Sequence, residues 1–202
     1  MTKAMSVDSN LKLLLDKKEF VVTAEITPKP TASPEDIVLQ ALPLKGRADA
    51  VNVTDGAGAR VAMSSLAASA LLVQAGIEPV LQMTCRDRNR IAIAADLIGA
   101  SALGIRNLLA LTGDDPKSGD EPDAKPVFDL ASRHIIELAR VLSGEGKTAS
   151  GRALAVRADL FVGAADAPFD PPADWRPDGL LDKIDAGVRF VQTQFCFEPA
   201  VL

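Results

Sequence analysis

Short runs of β-branched and aliphatic residues alternate with stretches of helical periodicity along the chain. Residues 20–26 (FVVTAEI) give the first strand signal, and Thr27-Pro28-Lys29-Pro30 cannot continue its ladder. Ser33 then stands as an N-cap before Pro34-Glu35-Asp36, which predicts a helix to about Leu42. The same reading predicts further strands at 50–54, 79–84, 107–112, 160–164 and 190–195. Helices are expected at 63–75, 88–98, from Asp129 to Gly144, and at 180–186, with Gly76 and Gly99 as further stops. Ile135, Leu138 and Leu142 fall on one stripe of the helix that Asp129 opens. Two polar loops interrupt the pattern, at 113–125 and 166–178, and the second holds four of the thirteen prolines and so needs packing to order it.

Strands alternating with helices argue for a parallel sheet, either an open doubly wound sheet or a barrel. A dinucleotide-binding sheet would place Gly-x-Gly-x-x-Gly after its first strand. Here that turn holds no glycine, and Asp55-Gly56-Ala57-Gly58 after the second strand lacks the third one. The fold expected is an α/β parallel (β/α)8 TIM-type barrel with about six β/α units in this chain. Residues 1–18 read as an N-terminal extension or helix and 19–202 as the barrel domain, truncated after strand six or covered there by something else, because bare strand edges are a liability.

Charge narrows the partners. The formal net charge of −5, without a long Lys/Arg run, argues against a nucleic-acid surface. No apolar run reaches membrane-spanning length, and residues 1–10 lack the apolar core of a signal peptide. Cys85 and Cys196 stand in no metal-ligand spacing and read as reduced thiols of a cytoplasmic protein.

Strand side chains alternate between faces. Thr23 and Glu25 share one face of the first strand, Asn52 and Thr54 of the second, Gln82 and Thr84 of the third, Thr112 and Asp114 of the fourth, and Gln192 and Gln194 of the sixth. Unpartnered buried polar groups cost roughly 1–3 kcal/mol each, so five such strands point to a site, and in a parallel barrel that site is the C-terminal mouth. Glu25 has apolar sequence neighbours, whose desolvation would favour a protonated carboxyl able to act as a general acid. The same position suits a Glu paired with Arg or Lys across the barrel. Asp114 fits either a ligand contact beside Gly113 or a turn aspartate. His134 reads as a surface or satisfied histidine, and Trp175 as a ligand shield or a loop anchor. Arg86 to Asn89 suit an anion site or helix capping with local ion pairs.

Seven segments together resemble the methylenetetrahydrofolate reductase family: Thr23-Ala24-Glu25-Ile26-Thr27-Pro28; Val53-Thr54-Asp55-Gly56; Gln82-Met83-Thr84-Cys85-Arg86-Asp87-Arg88-Asn89; Leu109-Ala110-Leu111-Thr112-Gly113-Asp114; Val162-Gly163-Ala164-Ala165; Lys183-Ile184-Asp185-Ala186-Gly187; and Gln192-Thr193-Gln194-Phe195. The resemblance implies FAD at the mouth of an eight-stranded barrel and reduction of 5,10-methylenetetrahydrofolate to 5-methyltetrahydrofolate. It implies that Glu25 is the general acid and that Asp114, also catalytic, contacts both the pterin and the flavin. It implies that Gln194 binds folate, and that Thr54, Gln82, Thr112, Gly113, Asp114, Ala165 and Lys183 hold FAD. Many members have His at Gln82, Arg at Thr112 and Tyr near Ala167, so three flavin-holding groups are replaced. The expected electron donor is NAD(P)H or an electron-donating partner protein, and a homo-oligomer is possible. The competing reading is a folate-binding barrel without redox activity, either a methyl transferase or an accessory subunit.

Overall fold

The computed structural model describes residues 9–172 and 174–201, so residues 1–8 of the expected N-terminal extension lie outside the described residues. Six strands, β1 (Thr23–Ile26), β2 (Ala50–Val53), β3 (Pro79–Thr84), β4 (Asn107–Leu111), β5 (Phe161–Asp166) and β6 (Phe190–Thr193), lie side by side in sequence order. Every neighbouring pair is parallel. The sheet curls into an open segment of a TIM-type barrel, with helices α2 (Pro34–Ala41), α3 (Ser65–Gln74), α4 (Arg90–Ala102), α5 (Ser132–Arg140) and α6 (Asp178–Ala186) between the strands.

Alternation along the strands sorts the core into an outer and an inner part. Val51 and Val53 pack outward with Ile37 of α2 and Leu72 of α3. Leu81, Met83, Leu108, Ala110, Val162 and Ala164 pack outward with residues of α4 and α5. The intervening positions Ala50, Val80, Leu109 and Phe161 form a separate inner cluster, closed by Leu11 of α1 (Asn10–Asp16). Helix α1 therefore plugs the N-terminal end of the curl. Ser9 caps it, accepting from Lys12 N at 3.0 Å, and Glu78 accepts the Asn10 and Leu11 amides at 2.8 and 3.0 Å.

Helix α2 starts where its sequence signal places it, and α3, α4 and α6 begin within two residues of the expected positions. Ser33 accepts from Asp36 N, with Pro34 in the first turn, and Asn89 accepts from Ile91 N and Ala92 N. Other expectations need correcting, and β6 ends at Thr193 rather than Phe195. Strand β1 begins at Thr23 rather than Phe20, whose ring is 91% exposed and gains nothing from the sheet. Helix α4 runs through Gly99 to Ala102, because one glycine costs only about 1 kcal/mol in a helix that buries Ile93, Leu97 and Ala100. The chain passes Gly144 in a π-helical turn, Val141–Glu145, and stops at Gly146 in the left-handed region. Asp129 opens no helix: it accepts from Arg90 N and Nε at 3.0 and 2.9 Å at the start of α4, and that guanidinium holds its carboxyl down to about 2. Helix α5 starts instead at Ser132, where His134 Nδ1 accepts the Ala131 N–H at 2.9 Å.

The inner floor is set by aromatic packing. Phe161 and Phe190 stack at 5.1 Å between centroids, and Gly163, the register partner of Phe190, leaves room for that ring. A Cβ on Gly163 would lie 2.3 Å from Phe190 Cζ. Overpacking of this kind costs roughly 1–3 kcal/mol. Gly163→Ala is expected to lose that much in chemical denaturation, and adding Phe190→Leu should recover part of it. A neutral single substitution would mean that the ring is not confined as described.

Candidate active site

A cleft of about 750 Å³ opens at the C-terminal ends of the strands. Thr23 and Glu25 reach it from β1, Asn52 and Thr54 from β2 and its end, and Gln82 and Thr84 from β3. Gln192 and Gln194 line it from β6 and just beyond, and Ala165 from β5. Strand β4 departs from the expected polar face. Its own contributions are Leu109 and Leu111, and Thr112, Gly113 and Asp114 reach the cleft from the loop after it. The alternation breaks because Gly113 turns the backbone at φ +97. It also sits close against β3, since a Cβ there would lie 2.9 Å from Thr84 Cβ.

The candidate residues thus gather in one place although they come from six strands and the loops that follow them. Lys183 is the exception. It does not line the cleft; its Nζ donates to Ala165 O at 2.7 Å, behind the rim. A larger groove of about 1120 Å³ opens at the N-terminal ends of β5 and β6, and none of the candidate residues lines it.

Glu25 is exposed on the open sheet, which corrects the expectation of an apolar surround. Its Oε2 accepts from Gln82 Nε2 at 3.0 Å. Asp114 is also exposed, and its Oδ2 accepts from Gly58 N at 3.0 Å. That bond belongs to a clasp between the loops after β2 and β4. Asp120 accepts from Val61 N at 3.0 Å, and Gly119 lies against the Ala59 carbonyl, where a side chain would not fit. Two cleft residues carry unused polar atoms: among the described residues, Asn52 Oδ1 and Thr54 Oγ1 are buried with no hydrogen-bond partner. Asn52 Nδ2 makes only a long contact, 3.4 Å, to Ala24 O.

Beneath the mouth lies a buried network that sequence reasoning did not assign. Asp55, 6% exposed, accepts from Arg88 Nη1 at 2.7 Å, from Thr84 N and Oγ1 at 2.9 Å each, and from Ser65 Oγ at 3.0 Å. Arg88 Nε also lies 3.0 Å from Asp96 of α4. One carboxylate therefore ties the end of β2 to β3, α3 and α4. Burial pushes the Asp55 carboxyl up, but the Arg88 guanidinium and the Thr84 donors outweigh it and hold the group below its usual range. In sequence Asp55-Gly56 reads as a turn, and its partner Arg88 lies 33 residues away with nothing to link the two.

The remaining sequence candidates resolve into structural roles. Arg86 pairs with Asp87 and donates to Gly56 O, while Asn89 caps α4. Trp175 meets Phe169 edge to face at 5.2 Å and does not line the cleft. Cys85 is buried, and burial alone pushes its thiol up to about 11.

A curled parallel sheet with a polar, partly unsatisfied mouth defines a barrel-type ligand site. Comparison with known proteins supplies the family. Residues 10–202 match the family described as "Methylenetetrahydrofolate reductase", and the chain belongs to that family. It is 30% identical over 143 residues to a "Probable methylenetetrahydrofolate reductase (NADPH)" of Caenorhabditis elegans, covering 69% of this chain and 19% of that protein. It is 29% identical over 145 residues to "Methylenetetrahydrofolate reductase 2" of Schizosaccharomyces pombe, covering 71% of this chain and 22% of that protein. The chain thus spans about a fifth of the length of either relative.

The buried network makes a stability prediction. Removing one partner of a buried ion pair costs about 3–5 kcal/mol, so Asp55→Asn is expected to lower the unfolding free energy by that order. A depressed carboxyl stabilises the fold above the ordinary Asp value of about 4, and that stability is lost as pH falls through the lower folded value. The parent should therefore lose stability below about pH 4 more steeply than Asp55→Asn does. Equal acid slopes in denaturant titrations would remove Asp55 from this role.

Proposed function

We propose that this chain carries the folate site of a flavin-dependent reductase, which converts 5,10-methylenetetrahydrofolate to 5-methyltetrahydrofolate. The observation that carries the reading is the convergence of Glu25, Asp114 and Gln194 on one cleft of a chain that belongs to this family. The cleft volume lies within the range of small-molecule sites. Gln82 Oε1, unpartnered among the described residues, and the neighbouring side-chain amides of the cleft lining suit the polar edge of a flat heterocycle.

When bound, FAD supplies the hydride for this reaction. Thr54, Gln82, Thr112, Gly113, Asp114 and Ala165 are the cleft residues that would hold it, with Lys183 steadying the Ala165 carbonyl. Glu25 acts on the folate: its carboxyl protonates N10 as the five-membered ring opens. Asp114, fixed by the Gly58 amide, sets a negative charge where the opened substrate is cationic, and such preorganised charge lowers the barrier without reorganisation. Gln194 orients the folate from the end of β6. The NADPH in the worm relative's name supports a nicotinamide nucleotide as electron source, and an electron-donating protein is the other candidate. Both cysteines are free, which supports a reducing, cytoplasmic setting.

Two substitutions test the assignment. Glu25→Gln is expected to abolish folate reduction while leaving FAD binding and flavin reduction largely intact, as stopped-flow half-reactions would report. A variant that turns over folate at the parent rate would rule out Glu25 as the acid. Asp114→Asn should slow the folate half-reaction and raise the flavin potential, since a nearby negative charge is removed. An unchanged potential together with an unchanged rate would take Asp114 out of the site.

A further inference from the structure

We infer that Gln82 is a positioning residue for Glu25, fixing which carboxyl oxygen carries the transferable proton. This rests on the reading of Glu25 as proton donor. Gln82 is 7% exposed, and its Nε2 donates to Glu25 Oε2 at 3.0 Å. Among the described residues no other hydrogen bond reaches the Glu25 carboxyl. Asn52, the register partner of Glu25 on β2, turns its amide nitrogen toward Ala24 O instead.

The chemistry follows from what an amide nitrogen can do. Nε2 only donates, so the oxygen it faces must accept in both protonation states. A carbonyl-type oxygen accepts better than a hydroxyl oxygen, so this bond favours the acid proton on Oε1. A neutral amide also differs from the guanidinium or ammonium partner that the sequence leaves open for this glutamate. It orders the carboxyl without adding a positive charge that would oppose protonation. The other end of the amide, Gln82 Oε1, has no protein partner among the described residues, and Gln82 lines the cleft. One side chain can thus accept from a ligand N–H and hold the acid at once, which couples ligand seating to the orientation of the proton. The other carboxylates at the cleft are committed elsewhere, Asp55 to Arg88 and Asp114 to the Gly58 amide.

Two measurements test this. The first follows the Gln82 side-chain NH₂ resonances of the ¹⁵N-labelled protein, without ligand, across a pH titration. They are expected to move with the titration of Glu25 and to stay still in Glu25→Gln. Resonances that ignore pH in the parent, or move equally in Glu25→Gln, would overturn the inference. The second compares Gln82→Met, which is close in size and lacks the donor, with the parent in the FAD-loaded protein. The variant is expected to lower kcat for folate reduction at least tenfold, a fraction of the roughly 10²–10⁴-fold that a positioned general acid contributes, with KM for folate within about twofold of the parent. Parent kcat in Gln82→Met, or a loss confined to KM, would overturn it. Full folate turnover in Glu25→Gln would instead remove the acid assignment, and the Gln82 resonances would still report the pair.

Discussion

A strand has two faces, and in a curled parallel sheet one of them must turn inward. Everything about this site depends on that constraint. Outward positions meet helices and are apolar on β2, β3, β4 and β5. Inward positions divide by height. Near the strand starts Ala50, Val80, Leu109 and Phe161 close on Leu11 of α1 and on one another. Toward the strand ends Glu25, Asn52, Thr54, Gln82 and Thr84 line an open, polar cleft.

The mouth is then fixed by bonds between segments distant in sequence. Asp55 gathers β3, α3 and Arg88 beneath the cleft, and Arg88 extends the tie to Asp96. Above it, Asp114 and Asp120 fasten the loop after β4 to the loop after β2. The lower network is charged and centred on the buried Asp55, and removing one partner would strand the other. The upper clasp is exposed and rests on single bonds to backbone amides, so it is the softer of the two. That order suits a site whose floor must hold its shape while its rim admits a ligand.

Much of this could be read from the chain. The cap at Ser33, the full extent of β3 and the convergence of polar residues at strand ends follow from local rules of period and capping. Misreadings came where a distant partner decides. Asp129 looks like a helix start because the Arg90 that binds it is 39 residues away. Glu25 looks enclosed by apolar neighbours because Gln82, the group it meets, is 57 residues away. Gly99 looks like a stop until the face that α4 buries is seen. The family resemblance rested on ordered short segments, and it holds over residues 10–202.

The reductase reading joins an acid, a fixed negative charge and a heterocycle-sized cleft in one redox reaction, whereas a purely folate-binding barrel would need no flavin. The most direct measurement is the visible spectrum of the purified protein supplied with FAD, reduced anaerobically and then titrated with 5,10-methylenetetrahydrofolate. The account predicts a protein-bound flavin spectrum that bleaches on reduction and returns in proportion to the folate added. Bound, reduced flavin that stays bleached with folate present would contradict it.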